Sequence, residues 1–170
     1  MNMTSNTYFT TILEEVYSLC GLKVSNHVRE KESKEYEASS FQLNALYVVS
    51  RKAKITPKKI GQFVTLWKRN TDGETTPYEE SDKADLFVIN LQEGPHLGQF
   101  VFPKVTLMDK GIVSYKKNEG KRGFRVYPPW SLPTNKIAQS TQKWQSEYFL
   151  EIGQHSKTDL AKAKALYLPN

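Results

Sequence analysis

The chain has 170 residues, of which 38% are hydrophobic and 12% aromatic. This length fits one domain, residues 1–170, and the aromatic content excludes an intrinsically disordered chain. The 24 Lys and Arg residues outnumber the 18 Asp and Glu residues and give a formal net charge of +6. An anionic partner is therefore the first functional class to consider.

Several classes of site are excluded by residue type and spacing. A single cysteine, Cys20, cannot form a disulfide within the chain or a multi-thiolate zinc site. The three histidines, His27, His96 and His155, are far apart and form no HxH or HxxxH pair. No P-loop, dinucleotide-binding or serine-nucleophile motif occurs. We therefore expect no metal site and no cofactor.

The sequence also predicts where the protein is found in the cell. Its first residues lack the basic and apolar segments of an export signal, and no stretch approaches the roughly 20 apolar residues of a membrane-spanning helix. One cysteine suits a reducing compartment. We expect a cytoplasmic protein that does not interact with membranes, and the sequence leaves its oligomeric state open.

The apolar pattern changes twice along the chain. Apolar residues at helical spacing predict a first helix over residues 5–20. Alternating and β-branched segments then predict strands over residues 41–44, 46–50, 62–67, 86–91, 99–102, 112–115 and 124–127. Helices are predicted over residues 103–110, 134–152 and 158–167, with Ile137 on the buried face of the second, and a helical turn over 56–61. This order predicts an α+β domain with a central mixed sheet flanked by helices.

The cations concentrate in two segments, residues 51–69 and 104–125, while the acids lie in residues 30–37 and 74–85. We predict a phosphate-contacting surface in which aromatic side chains stack on bases or line a pocket. The alternative is a sheet edge that lysines protect against pairing. The candidate nucleic-acid-binding residues are Arg51, Lys54, Lys58, Lys59, Lys68, Arg69, Lys121, Arg122 and Arg125. The candidate stacking or pocket residues are Trp67, Tyr127, Trp130 and Trp144.

Long uninterrupted stretches carry a family resemblance. They include Gly120-Lys-Arg-Gly-Phe-Arg-Val-Tyr-Pro-Pro-Trp130 and residues 41–44, 51–69, 82–85, 98–104, 110–112 and 141–145. Together they resemble the MepB family over roughly residues 8–152. The resemblance implies a small bacterial cytoplasmic protein, encoded in some genomes beside a multidrug efflux pump and its repressor. It also implies a restriction-endonuclease-like fold, a mixed sheet flanked by helices with an ancestral PD…(D/E)xK site.

That ancestral site can be sought residue by residue. It uses two carboxylates to hold Mg²⁺ and a lysine to activate water or steady the scissile phosphate. Asp85, at the start of a predicted strand, and Lys104, after the next strand, are the candidate catalytic residues. Phe102 stands where the second carboxylate belongs, so the signature is incomplete.

Three functional hypotheses follow. The leading one is a non-catalytic nucleic-acid-binding domain, with DNA or RNA as partner and a degenerate nuclease-like site. The second is a metal-dependent nuclease that uses Asp85 and Lys104. The third is a small-ligand or partner-binding accessory module linked to efflux, in which Tyr127, Trp130 and Trp144 line a pocket. The alternative for these aromatics is that they join the helix to the sheet.

Overall fold

The computed structural model describes residues 5–153 and 157–169, so His155 lies outside the described residues. Within these ranges, α1 to α4 are Ser5–Ile12, Lys104–Asp109, Lys136–Ser146 and Leu160–Tyr167. A π-helical turn, Leu13–Tyr17, continues α1, and a 3₁₀-helix spans Lys34–Tyr36. The strands β1 to β11 are Val24–Arg29, Ser39–Leu43, Leu46–Lys52, Lys54–Thr56, Lys59–Thr65, Lys68–Arg69, Thr75–Thr76, Leu86–Glu93, His96–Pro103, Gly123–Val126 and Phe149–Glu151.

The central sheet has six strands in the order β1-β2-β3-β8-β9-β11. Strands β3 and β8 are parallel, and every other neighbouring pair in this sheet is antiparallel. The mixed sheet and its helices confirm the α+β fold that the sequence predicts. The more specific expectation, a restriction-endonuclease-like arrangement, stays a prediction.

Both faces of the central sheet are covered, and β8 shows why. Its residues alternate between two cores, because successive side chains of a strand point to opposite faces. Leu86 and Val88 pack in the first core, with α1 and α4, whereas Phe87 and Ile89 pack in the second. A strand buried on both faces needs the continuous apolar run that the sequence shows here.

A second sheet, in the order β10-β5-β4, packs over the second core. Val64 of β5 and Phe124 and Val126 of β10 point inward and are buried. The intervening residues of these strands, including Phe63 and Arg125, therefore point away from the core. The outward face of this small sheet positions the candidate site.

Five sequence predictions are wrong in detail. Residues 112–115 form isolated bridges at Ser114 and Tyr115 rather than a strand. Residues 56–61 form no helical turn, because residues 57–58 are the turn of the β4–β5 hairpin and the others belong to its strands. The helix predicted over residues 134–152 ends at Ser146, and β11 follows it. Ile137 is 81% exposed rather than buried. Strand β1 has no counterpart among the predicted strands, because its residues are mostly exposed and show no apolar alternation.

A buried chain of polar side chains crosses the central sheet on the α4 side. Asn90 Nδ2 donates to Ser50 Oγ (3.0 Å), and Gln99 Nε2 donates to Asn90 Oδ1 (2.8 Å). The Tyr167 hydroxyl donates to Gln99 Oε1 (2.8 Å) and lies 3.1 Å from the Tyr17 hydroxyl. These partners satisfy polar groups that would otherwise be costly to bury. We call Ser50, Asn90, Gln99, Tyr167 and Tyr17 the polar chain.

The Tyr17 end of the polar chain predicts a pH dependence of stability. Burial raises the pKa of Tyr17 from 10.0 to about 12, although hydrogen bonds to Tyr167 and Gln99 oppose the shift. Because the folded pKa exceeds the unfolded one, the stabilisation is complete below pH 10 and is lost as the pH rises towards 12. A shift of this size corresponds to about 3 kcal/mol. Urea unfolding between pH 9 and 12 measures it.

Two variants separate Tyr17 from the other tyrosines in that experiment. Tyr17→Phe should lose less stability than the wild-type protein over this pH range. Tyr47→Phe, at an exposed position on β3, should follow the wild-type protein. Parallel pH profiles for Tyr17→Phe and the wild-type protein would contradict this role of Tyr17.

Candidate nucleic-acid interface

Arg51 is buried rather than part of a surface. Its side chain is 1% exposed, and its Nη2 lies 3.1 Å from a carboxylate oxygen of Glu30. The same guanidinium donates to the Ser50 carbonyl (3.0 Å) and lies 3.4 Å from the Tyr78 hydroxyl. Arg51 is therefore removed from the set of phosphate-contacting candidates.

Lys68 and Arg69 reach the surface but have acidic partners. Lys68 Nζ lies 2.7 Å from Asp82 and 3.2 Å from Glu79. Burial opposes the charged form of Lys68, yet the hydrogen bonds to these two carboxylates raise its pKa overall. The Arg69 guanidinium binds Glu32 (2.6 Å), and this hydrogen bond lowers the pKa of Glu32.

Acids distant in sequence thus fold back onto the first basic segment. Arg122 is paired locally instead: it lies 3.6 Å from Glu119, three residues earlier, and it donates to the Thr75 carbonyl (3.0 Å). The separation of charge along the sequence is therefore not a separation in space for Arg51, Lys68 and Arg69, and Arg122 is paired within its own segment. Their pairing reduces their value as phosphate contacts.

Five other candidate cations make no ion pair with the described residues, and they gather on the outward face of the second sheet. Lys54 on β4, Phe63 on β5 and Arg125 on β10 are direct cross-strand neighbours. Directly opposed residues of antiparallel strands share a face. We call this surface the basic sheet face. It comprises Lys54, Lys58, Lys59, Lys121 and Arg125 with the aromatic side chains Tyr36, Phe63 and Tyr127.

Arg125 is fixed at the centre of the basic sheet face. Its Nη2 donates to Thr56 Oγ1 (2.6 Å), and its Nη1 donates to the Ile60 carbonyl (3.3 Å). Its guanidinium carbon lies 5.9 Å from the centre of the Phe63 ring. These contacts join β10 to the hairpin that carries Lys58 and Lys59 without neutralising the Arg125 charge.

The aromatic rings lie among these cations. Tyr36 and Phe63 meet edge to face with ring centres 6.4 Å apart, and Lys54 Nζ lies 4.8 Å from the Tyr36 ring centre. Glycine makes room for two of the rings, because a Cβ on Gly123 would lie 2.7 Å from the Phe63 ring. A Cβ on Gly61 would lie equally close to Tyr127.

Two shallow depressions continue this surface. One, of about 630 Å³, is lined by Lys58, Lys59, Phe63 and Arg125 among others. The other, of about 240 Å³, is lined by Lys121, Arg125, Tyr127 and Trp144 together with Lys110. Phe124 and Arg125 border both depressions. Cations and aromatic rings together are the side chains that bind single-stranded nucleic acid.

Sequence reasoning missed Tyr36 and Phe63. Phe63 lies directly between the buried residues Gln62 and Val64, and this alternation identifies its outward orientation once β5 is placed in register. Tyr36 is remote in sequence and is brought to Phe63 by the 3₁₀-helix. The two rings meet only in the folded chain, where β5 pairs with β4 and β10 and the 3₁₀-helix packs against β5.

The predicted aromatic residues do not form one site. Trp67 carries Arg69 over its ring, with the guanidinium 5.5 Å from the ring centre. Trp130 stacks on His96 with ring centres 4.5 Å apart and donates from Nε1 to Glu93 (2.6 Å). Trp130 and Trp144 both pack against the second core, as expected if they join a helix to the sheet.

Asp85 and Lys104 are neighbours through their backbones, but each side chain is occupied. The Lys104 amide donates to the Asp85 carbonyl (3.0 Å). Asp85 Oδ2 accepts from the Tyr47 amide (2.9 Å), which caps the paired β3 and β8 strands. Lys104 Nζ donates to the carbonyls of Glu80 (2.8 Å) and Asp82 (2.9 Å).

Among residues 5–153 and 157–169, no group of three or more His, Cys, Asp or Glu side chains is arranged to hold a metal ion. Over the same residues, none of the helices has the length and apolar character needed to cross a membrane. Phe102, at the position of the missing acid, is buried in the second core.

The fold and this surface define a class: an α+β protein with a mixed six-stranded sheet and a cationic, aromatic second sheet. A family model described as MepB-like matches residues 30–151. A solved structure described as the crystal structure of MepB is 35% identical in sequence, with a TM-score of 0.76, and the match covers 91% of this chain and 100% of that chain. No curated protein matches the chain. The chain belongs to the MepB-like family.

Proposed function

We propose that this protein binds nucleic acid through the basic sheet face, favours single strands, and does not cleave them. The observation that carries the proposal is the row Lys54, Phe63 and Arg125 across three strands, with Lys58 and Lys59 at the adjoining turn. Phosphate contacts supply affinity, and rings stack on bases with little regard to sequence. A duplex hides the faces of its bases, so the aromatic contribution is specific to single strands.

Binding without cleavage is supported by the environment of Asp85 and Lys104. A nuclease needs a lysine that is available to water or to the scissile phosphate, and a carboxylate that is available to a metal ion. Here the Lys104 ammonium is bound to two backbone carbonyls, and the Asp85 carboxylate accepts from a backbone amide. These roles stabilise the strand ends.

Removing the Phe63 ring tests the aromatic half of the proposal. We expect Phe63→Ala to weaken binding of a single-stranded oligonucleotide about fivefold or more, the effect of losing one stacked base. Binding of a duplex should change little, because its bases are already stacked. Fluorescence anisotropy with labelled DNA and RNA oligonucleotides measures both.

Phe63→Tyr is the matched control, since it keeps the ring and should keep wild-type affinity. The bound oligonucleotides should be recovered intact after incubation with Mg²⁺ or Mn²⁺. The proposal fails if the wild-type protein binds no oligonucleotide at low salt. Metal-dependent cleavage that Asp85→Asn abolishes would favour the nuclease instead.

A further inference from the structure

A cavity of about 550 Å³ lies apart from the basic sheet face and is lined in part by Lys34 of the 3₁₀-helix. Its lining includes Phe9 of α1, His27 of β1, Ser39 of β2, Ser50 of β3 and Asn90 of β8. This volume lies within the range of cavities that hold small molecules and cofactors. Its floor, wall and mouth differ in chemistry.

The floor is polar and buried. Ser39, Ser50 and Asn90 are 7%, 6% and 7% exposed. Asn90 and Ser50 end the polar chain here, with Ser50 Oγ accepting from Asn90 Nδ2. Neither the Ser50 O–H nor the Ser39 hydroxyl donates to any of the described residues. The floor therefore offers hydroxyl donors to a ligand that carries hydrogen-bond acceptors on its edge.

The wall of the cavity is aromatic. The rings of Phe9 and His27 have centres 4.7 Å apart and planes inclined by 37°. Burial, and secondarily the charge of Arg29, lower the pKa of His27, which favours its neutral form. A neutral ring beside Phe9 offers a stacking surface for a planar ligand.

The mouth carries charged side chains. Arg29 and Lys34 are exposed cations, and the carboxylate of Glu30, which also lines the cavity, is already paired with Arg51. The other carboxylate of the lining belongs to Glu37. It can accept hydrogen bonds from the exocyclic amino groups of a base, but it repels a phosphate. A phosphate is accordingly attracted towards Arg29 and Lys34.

We propose that this cavity binds a nucleotide, with the base between the Phe9–His27 wall and the Ser39–Ser50–Asn90 floor and the phosphate near Arg29 and Lys34. Two sources present this chemistry, a free mononucleotide and an unstacked base of a bound strand. The second source rests on the proposed function. A strand bound on the basic sheet face has only a short distance to cover to the cavity. Lys34 lines the cavity, and Tyr36, in the same 3₁₀-helix, contacts Phe63 of the basic sheet face.

Two cavity variants and two matched controls test the proposal, with nucleoside 5′-monophosphates and a single-stranded oligonucleotide as probes. His27→Ala removes part of the wall, and Ser39→Val replaces a floor hydroxyl with a methyl group. Val28→Ala and Ser40→Val change neighbouring residues that do not line the cavity. Calorimetric titration should show mononucleotide affinity about fivefold or more lower in His27→Ala, and lower in Ser39→Val, with wild-type affinity in both controls.

The two probes separate the sources and the two proposals. If the cavity variants lose oligonucleotide affinity as well as mononucleotide affinity, the ligand of the cavity is a base from a bound strand. If they lose mononucleotide affinity alone, the ligand is a free nucleotide. The cavity proposal is overturned if all variants match the wild-type protein towards both probes. A failure of the proposed function gives a different result. If the basic sheet face does not bind nucleic acid, Lys58→Ala/Lys59→Ala keeps wild-type oligonucleotide affinity, whatever the cavity variants do.

Discussion

Replacing Glu30 with alanine is expected to lower the free energy of unfolding by about 3 kcal/mol, because it leaves a buried cation without its counter-ion. Arg51 is 1% exposed and pairs with the Glu30 carboxylate. The Tyr78 hydroxyl and the Ser50 carbonyl still contact the guanidinium in the variant, which places the loss at the lower end for a broken buried pair. Urea unfolding followed by circular dichroism measures it.

The chain supplies a matched control for that experiment. Glu32 pairs with Arg69, and both of those side chains are 46% exposed. Glu32→Ala should change stability little, since water replaces the lost partner of an exposed cation. Equal destabilisation by the two variants would contradict a special role for the buried pair.

Removing the two lysines of the β4–β5 turn is expected to weaken oligonucleotide binding strongly. Each phosphate contact with a single strand contributes about 0.7 to the slope of log K against log salt, so two contacts contribute about 1.4. We take the two affinities as equal at 1 M salt, where phosphate contacts are screened. At 50 mM salt the difference in slope then makes Lys58→Ala/Lys59→Ala bind about 70-fold more weakly than the wild-type protein. Anisotropy titration at 50 mM salt measures the ratio.

Lys162→Ala/Lys164→Ala is the control for charge alone. It removes two positive charges from α4, which packs on the opposite face of the central sheet. This variant should bind within a few-fold of the wild-type protein, because distant charges are screened. Equal losses in both double variants would assign the binding to net charge rather than to the basic sheet face.

Most of the central sheet could be predicted from the sequence, for a physical reason. Strands β2, β3, β8 and β9 bury side chains, and burial imposes an apolar pattern that the sequence displays. Strand β1 is mostly exposed and lacks this pattern. At the turn over residues 57–58 a proline follows a threonine, and this same pattern also begins helices. Only the pairing of Thr56 with Lys59 distinguishes the hairpin from a helical turn.

The candidate site was predictable only in part, because charge along a sequence does not reveal charge pairing in space. Lys54, Lys58, Lys59, Lys121 and Arg125 could be chosen from the basic segments. The partners of Lys68 and Arg69 come from acids 11 to 37 residues away, and sequence spacing carries no signal for them. The five cations of the basic sheet face are the predicted nucleic-acid-binding residues that remain after these pairings and those of Arg51 and Arg122.

The dependence of oligonucleotide affinity on salt tests the central claim most directly. For the wild-type protein, log K should fall linearly with log salt, with a slope near −3.5 if all five cations of the basic sheet face contact phosphates of a single strand. In Lys58→Ala/Lys59→Ala the slope should be less steep by about 1.4. An affinity independent of salt, or the same slope in this variant as in the wild-type protein, would contradict binding through the basic sheet face.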